Sequence, residues 1–171
     1  MSEKDSAEEF QFLTFRMASE DYAIRILQVR EIIAYDTITR VPGTPPWIRG
    51  VINLRGSVVP VVDLAVKFSL APSTITRSSC VVIVEVKLGG EDTVMGIFAD
   101  AVDEVVFLSQ ADVEPPPPFG SRVSTNYLFG IGKISGKFVL ILDIDQVLSC
   151  DELLEATSAS ELLAAGTASG K

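Results

Sequence analysis

Asp63 and Asp143 are the residues best suited by type and spacing to carry chemistry. Each closes an apolar run, Val59-Pro60-Val61-Val62-Asp63 and Phe138-Val139-Leu140-Ile141-Leu142-Asp143. Two carboxylates related by an internal duplication are how two-lobed aspartic proteases share one proton between like charges. That chemistry needs glycine and small residues after each Asp, so that the backbone can approach the attacking water. Here Leu64-Ala65-Val66 and Ile144-Asp145-Gln146 follow instead. The residues favour a structural duty, in which each aspartate ends a strand and caps the turn behind it. A hydrolase using Asp63 and Asp143 stands as the alternative from a different class, and a melting shift with a pepstatin-type inhibitor would support it. Other chemistry has less to work with. No histidine occurs in the 171 residues, which removes Ser-His-Asp and Cys-His catalysis, phosphohistidine chemistry and His-ligated metals. Cys80 and Cys150 lack CxxC spacing and a second pair, so they are expected to be reduced, small apolar side chains. Gly130-Ile131-Gly132 is a lone GxG with no helix start behind it, and Lys133 and Lys137 are single charges on a hairpin. No enzymatic activity, cofactor or metal is expected.

The elements that would hold these residues are mostly strands. Apolar residues make up 47% and charged residues 22%, enough for most of the chain to fold. A formal charge of −9 argues against nucleic acid or anionic lipid as the main ligand. The start, Met1-Ser2-Glu3-Lys4-Asp5, lacks the apolar stretch of a signal peptide, and no apolar run approaches the roughly 20 residues of a membrane helix. A soluble cytoplasmic protein is therefore expected. Residues 1–9 are expected to form a flexible tail, residues 10–150 the folded domain, and residues 151–171 a helical and then flexible tail. Strands are predicted at Phe10–Phe15, Tyr22–Ile24, in two runs of Val51–Leu64 split by Arg55-Gly56-Ser57, at Cys80–Val86, Val94–Phe98 and Phe138–Ile144. Helical spacing predicts short helices at Ile26–Ile33 and Asp145–Ala156. The Pro-rich pieces Val41–Pro46 and Pro115–Pro118 are expected to be extended connections.

An internal repeat ties the pieces together. Ile24, Val29, Glu31 and Ile32 recur at one common offset as Ile97, Val102, Glu104 and Val105. Gly50, Gly56 and Asp63 recur at a slightly longer offset as Gly130, Gly136 and Asp143, the extra length falling in the Pro-rich connection. Each half is expected to be one unit, and five short strands with a Gly corner suit a closed barrel, because closure removes unpaired edges. The predicted fold is all-β with short helices, in two packed β-barrels; one ten-stranded sandwich is the alternative. On the predicted helix, Ile26, Val29 and Ile32 share a face, with Leu27 and Ile33 able to serve the core from the other side. An apolar strip so left over marks a partner site. Glu31 and Arg55 are charges within apolar stretches and are expected to pair.

The ordered set Tyr22-Ala23-Ile24-Arg25-Ile26-Leu27-Gln28-Val29-Arg30-Glu31-Ile32-Ile33, Ile38-Thr39-Arg40-Val41-Pro42, Ile48-Arg49-Gly50-Val51-Ile52-Asn53-Leu54-Arg55-Gly56 and Val59-Pro60-Val61-Val62-Asp63-Leu64 resembles the CheW family of chemotaxis coupling proteins. The hairpin motif Asn53-Leu54-Arg55-Gly56, followed by Pro60-Val61-Val62-Asp63-Leu64, is its most specific part, and the likeness continues through Gly96–Val102 and Phe138–Leu148. The resemblance implies two tandem SH3-like five-stranded barrel subdomains and a non-enzymatic adaptor. Such an adaptor couples the cytoplasmic tips of chemoreceptors to the regulatory domain of the histidine kinase CheA, within membrane-associated receptor arrays. By the same resemblance, a receptor's helical hairpin would lie in an apolar groove between the barrels, at Leu13, Ile26, Val29, Ile32 and Val102, beside the charged pair Glu31 and Arg55. Kinase contacts would fall near Ile38 and Val41 and, in the second barrel, near Phe119. The protein is expected to be monomeric when free, with no direct membrane insertion and no nucleic-acid partner. A CheW-like regulatory module of another chemosensory system is the nearest alternative, and an appended receiver domain is not expected. The adaptor account is staked on the seam between the barrels being an open apolar slot, and a seam filled by this chain's own side chains would count against it.

Overall fold

Alternating apolar residues and four two-residue turns give the chain its strands. In the computed structural model, residues 10–36, 38–68, 70, 74–115 and 127–148 are described. They form β1 (Phe10–Met17), β2 (Glu20–Arg25), β3 (Val29–Ala34), β4 (Ile48–Leu54), β5 (Ser57–Val62), β6 (Cys80–Leu88), β7 (Glu91–Ala99), β8 (Ala101–Leu108), β9 (Val113–Glu114), β10 (Leu128–Ile134) and β11 (Lys137–Leu142). Two four-residue helices, α1 (Leu64–Lys67) and α2 (Ile144–Val147), follow β5 and β11. Single 3-10 turns lie at Ile26–Gln28 and Gln110–Asp112. The hairpin tips Ala18-Ser19, Arg55-Gly56, Gly89-Gly90 and Ser135-Gly136 each hold two successive residues at positive φ. That is the type I′ geometry whose twist matches the flanking strands.

The strands sort into two sheets, ordered β8-β1-β2-β11-β10-β9 and β3-β6-β7-β5-β4. Each sheet returns on itself. After β3 the chain crosses to the far edge, where Thr39 exchanges two backbone hydrogen bonds with Val51 of β4 (2.9 and 2.8 Å). After β8 it does the same through β9, which pairs with β10. The fold is thus mostly β with short helices, in two SH3-like subdomains, and not a single sandwich. The expectation that each half of the sequence forms one unit is corrected. The first hairpin of each half pairs with the last strands of the other half: β2 runs parallel to β11, and β7 parallel to β5.

Three clusters of apolar side chains follow from this exchange. Phe12, Ala23, Leu108, Val139 and Ile141 fill one barrel, and Val59, Val61, Val81, Ile83 and Phe98 fill the other. The largest cluster joins Leu13, Phe15, Tyr22 and Ile24 of one sheet to Val82, Val84, Met95 and Ile97 of the other, with Ile144, Val147 and Leu148 at its end. That cluster is the seam between the barrels.

Two glycines permit closure. At Gly50, φ is +146°, and an added Cβ would stand 2.2 Å from the Thr39 carbonyl oxygen. At Gly130 an added Cβ would stand 2.9 Å from the Glu114 carbonyl oxygen. These are the repeated glycines of the two halves, and each lets the crossing backbone lie directly against its barrel.

The helix predicted over Ile26–Ile33 is a single 3-10 turn followed by β3. The spacing that suggested a helix has another cause. Val29 faces Val84 and Glu31 faces Ile83, so Arg30 is an extra, bulged residue. The bulge lets positions three apart share a face, as they would on a helix. The same irregularity recurs at Asp103, between Val102 opposite Phe15 and Glu104 opposite Thr14. The helix predicted over Asp145–Ala156 covers Ile144–Val147, and its later residues lie outside the described ones, as do the two tails, Pro116–Pro118 and Cys150.

Candidate partner-binding surface over the seam

The repeated aspartates are helix caps. Asp63 Oδ1 accepts from the Ala65 and Val66 amides (3.0 and 3.4 Å), and Oδ2 accepts from Arg49 Nε at 3.1 Å. Asp143 Oδ1 accepts from the Gln146 amide at 3.3 Å. Cys80 is buried, and burial first, then the Asp100 charge, pushes its thiol above the usual range. A thiol held protonated in this way is a packing group.

The seam is not an open slot, and the groove expectation is corrected to that extent. Its floor is this chain's own core, and Leu13 lies inside it at 2% exposure. What stays open is the rim. Ile26, Val29 and Val102 are partly exposed and pack against that same core. Directly opposed residues on neighbouring strands share a face. Val29 opposes Val84 and Ile32 opposes Val82, both seam residues, so Val29 and Ile32 face the seam along the edge strand β3. Ile32 is 43% exposed. Across the repeat, Val102 opposes Phe15 and Val105 opposes Leu13, placing both on the seam side of β8. The five predicted groove residues therefore belong to one seam, four of them at or beside its rim. Val105, itself 42% exposed, completes the symmetric set, and the repeat offset that maps Ile32 onto Val105 was the signal for it.

Leu27, expected to be able to serve the core, is instead 93% exposed, at the crest of the 3-10 turn. A strand spacing would have shown it; a helical one hides it. Ile33 does pack against its barrel interior.

Arg55 and Glu31 form an ion pair on the other face of β3 from this rim. Glu31 opposes Ile83, a residue of the barrel interior, so its carboxylate stands on the barrel side of β3. Arg55 occupies the hairpin tip at φ 51°, a conformation that costs a non-glycine side chain energy. Asn53 Oδ1 accepts from the Gly56 amide at 2.8 Å and holds the turn, and Leu54 packs on the barrel core. The Arg55 hydrogen bond, more than its charge at a distance, holds the Glu31 carboxyl below its ordinary value of 4.5. Because the folded value is lowered, the pair's contribution is fully present above the ordinary carboxylate range and is lost as pH falls through the lowered value. Acid titration followed by NMR should show the Arg55 side-chain resonances losing dispersion only below that range. Reversing either charge singly should lower the melting temperature slightly, and reversing both should recover it. A double reversal that recovers nothing would dismiss the pairing.

The residues proposed for kinase contact fall on a different part of the barrel. Ile38 packs partly into the barrel interior beside Gly50, and Val41 opens a Pro-rich crossing that lines a shallow cavity with Arg40, Pro42 and Pro45. Phe119 lies outside the described residues.

Comparison with known proteins gives a consistent picture. The model of the CheW-like domain family matches residues 11–152. The chain is 38% identical over 143 residues to the chemotaxis protein CheW of Klebsiella aerogenes, covering 84% of each. It is 35% identical to the chemotaxis protein CheW of Helicobacter pylori over 149 residues, covering 87% of each. It superposes on the crystal structure of the scaffolding protein TtCheW from Thermoanaerobacter tengcongensis with a TM-score of 0.75 at 31% identity, covering 85% of this chain and 91% of that one.

Proposed function

The chain belongs to the CheW-like domain family, and from that premise we propose that it is a non-enzymatic adaptor coupling chemoreceptors to the histidine kinase CheA. The observation that carries the reading is the apolar rim over the seam, formed by Ile26, Val29, Ile32 and Val102. Ile26, Val29 and Val102 lean on the seam core and keep part of their surface in water, and Ile32 is more exposed beside them. A partner helix laid along them completes their burial. Each large side chain fully buried contributes roughly 1.5–3 kcal/mol before ordering costs. Partly buried anchors contribute less, so a few of them suit a weak contact that an array multiplies through many copies.

The receptor tip is the occupant of the rim in this reading, and the kinase regulatory domain takes the barrel ends near Ile38, Val41 and Phe119. The duplicated fold supports such a division, because two barrels locked through one core hold separate faces at a fixed spacing. No helix among the described residues is long and apolar enough to cross a membrane, in keeping with recruitment to receptor arrays from the cytoplasm. The free protein would be a monomer.

Co-sedimentation with receptor-bearing membranes, with and without CheA, tests the proposal. Binding to receptor membranes and retention of CheA in the pellet are expected, and a protein that stays in the supernatant would overturn it. Arg55→Asp should weaken co-sedimentation several-fold, because the acidic replacement repels Glu31 and disturbs β3, the strand that carries Val29 and Ile32 on its other face. Lys133→Asp should leave it within twofold, since Lys133 is exposed and stands 6.0 Å from the Phe138 ring centroid on another hairpin.

A further inference from the structure

The 3-10 turn Ile26–Gln28 carries the rim residue Ile26 and, at its crest, the 93% exposed Leu27, yet has little to hold it. Its first residue receives no side-chain cap, none of its three residues is fully buried, and its one closing bond runs from the Val29 amide to the Ile26 carbonyl. Such turns are weak by themselves. Further support comes from α2, the helix that follows β11. Asp145 Oδ1 accepts from Gln28 Nε2 and from the Lys87 backbone amide, both at 3.1 Å. Asp145 is well anchored, since α2 is capped by Asp143 and its neighbours Ile144 and Val147 are fully buried in the seam core. One oxygen thus ties the turn, β6 and α2 together across the seam.

The tie exists in one copy of the repeat alone. At the repeat offsets, Gln28 corresponds to Ala101 and Asp145 to Ala65, and two alanines can form no such bond. We infer that Asp145 is a positioning residue for the rim, acting through Gln28, and that it makes the first-repeat side of the rim (Ile26, Leu27 and Val29) the pre-ordered one. A receptor helix would then meet one fixed edge rather than two equivalent ones, which gives its docking a direction. This rests on the adaptor reading for the identity of the ligand, but not for the tie itself.

The test uses the full chain. Asp145→Ala and Gln28→Ala should each weaken co-sedimentation with receptor-bearing membranes by about tenfold, as the loss of one ordering hydrogen bond predicts. The double variant should be no weaker than Asp145→Ala. Asp145→Asn should bind like the parent, because one amide oxygen can accept both bonds. Asp63→Ala removes the cap of the repeat-related helix α1, which does not carry Asp145, so it should lower the melting temperature and leave affinity unchanged. In Asp145→Ala, amide exchange at Lys87 and Val29 should quicken at least tenfold. Unchanged affinity in Asp145→Ala, failure of Asp145→Asn to rescue, or equal weakening by Asp63→Ala would overturn the inference. Should the parent protein itself fail to bind receptor membranes, the adaptor reading falls, and unaltered Val29 exchange in Asp145→Ala would then separately refute the tie.

Discussion

Val29→Glu is expected to abolish co-sedimentation with receptor-bearing membranes while the protein keeps a cooperative thermal transition, and Val102→Glu is expected to do the same. Both valines lie at the rim, partly exposed and packed on the seam core. In the free protein a glutamate there can turn its carboxylate into water, because each position sits on an edge strand of its sheet. The stability cost should be about 1 kcal/mol, typical of such a substitution. Once a partner helix covers the rim, that carboxylate is enclosed without a counter-charge. The penalty is then several kcal/mol, on the order of 3 or more, which lowers a modest affinity by more than about a hundredfold. Binding measured at fixed receptor density, with a melting curve on the same sample, separates the two effects. Co-sedimentation equal to the parent at an unchanged melting temperature would remove the rim from the binding surface.

Gly50→Ala should be among the most destabilising single substitutions in the chain. The residue sits at φ +146°, and a methyl there would meet the Thr39 carbonyl oxygen at 2.2 Å and Ile38 Cγ2 at 2.6 Å. The obstructing atom is backbone, and that same backbone exchanges the two hydrogen bonds that close the barrel. Strain and lost closure together should cost on the order of 3–4 kcal/mol. Gly56→Ala is the comparison, since φ there is +90° but nothing lies within 4 Å of the added methyl. About 1 kcal/mol is expected at that turn. Thermal unfolding should place Gly50→Ala several degrees below Gly56→Ala, at about 2–4 °C per kcal/mol for a domain of this size. Equal melting temperatures would mean that the crossing strand is not held against β4 as described.

Much of this molecule was legible before any coordinates. The hairpin tips, the repeated glycines and the capping aspartates all express requirements of one residue and its near neighbours: positive φ, close approach, an oxygen for the first helical amides. Most strand positions followed from the period of two for the same reason, though β8 and β10 were not among those predicted. Ile26–Ile33 shows most clearly where local pattern fails. A bulge at Arg30 shifts the phase of β3 by one residue, and i, i+3 spacing then looks helical. The error carried through to Leu27, expected to be able to serve the core when it stands in solvent.

Which strands pair, and therefore what the seam is, could not be read in the same way. The repeat marks two equal halves, and a barrel from each half would satisfy every local signal. Tertiary structure instead exchanges the leading hairpins, so that β1–β2 and β6–β7 each complete the barrel of the other half. The chain itself thus determined most of its strands and turns, its caps and its family. The fold decided that the seam is a filled core with an apolar rim, because strand pairing and burial depend on residues far apart in the chain, whose combined contact no short pattern encodes.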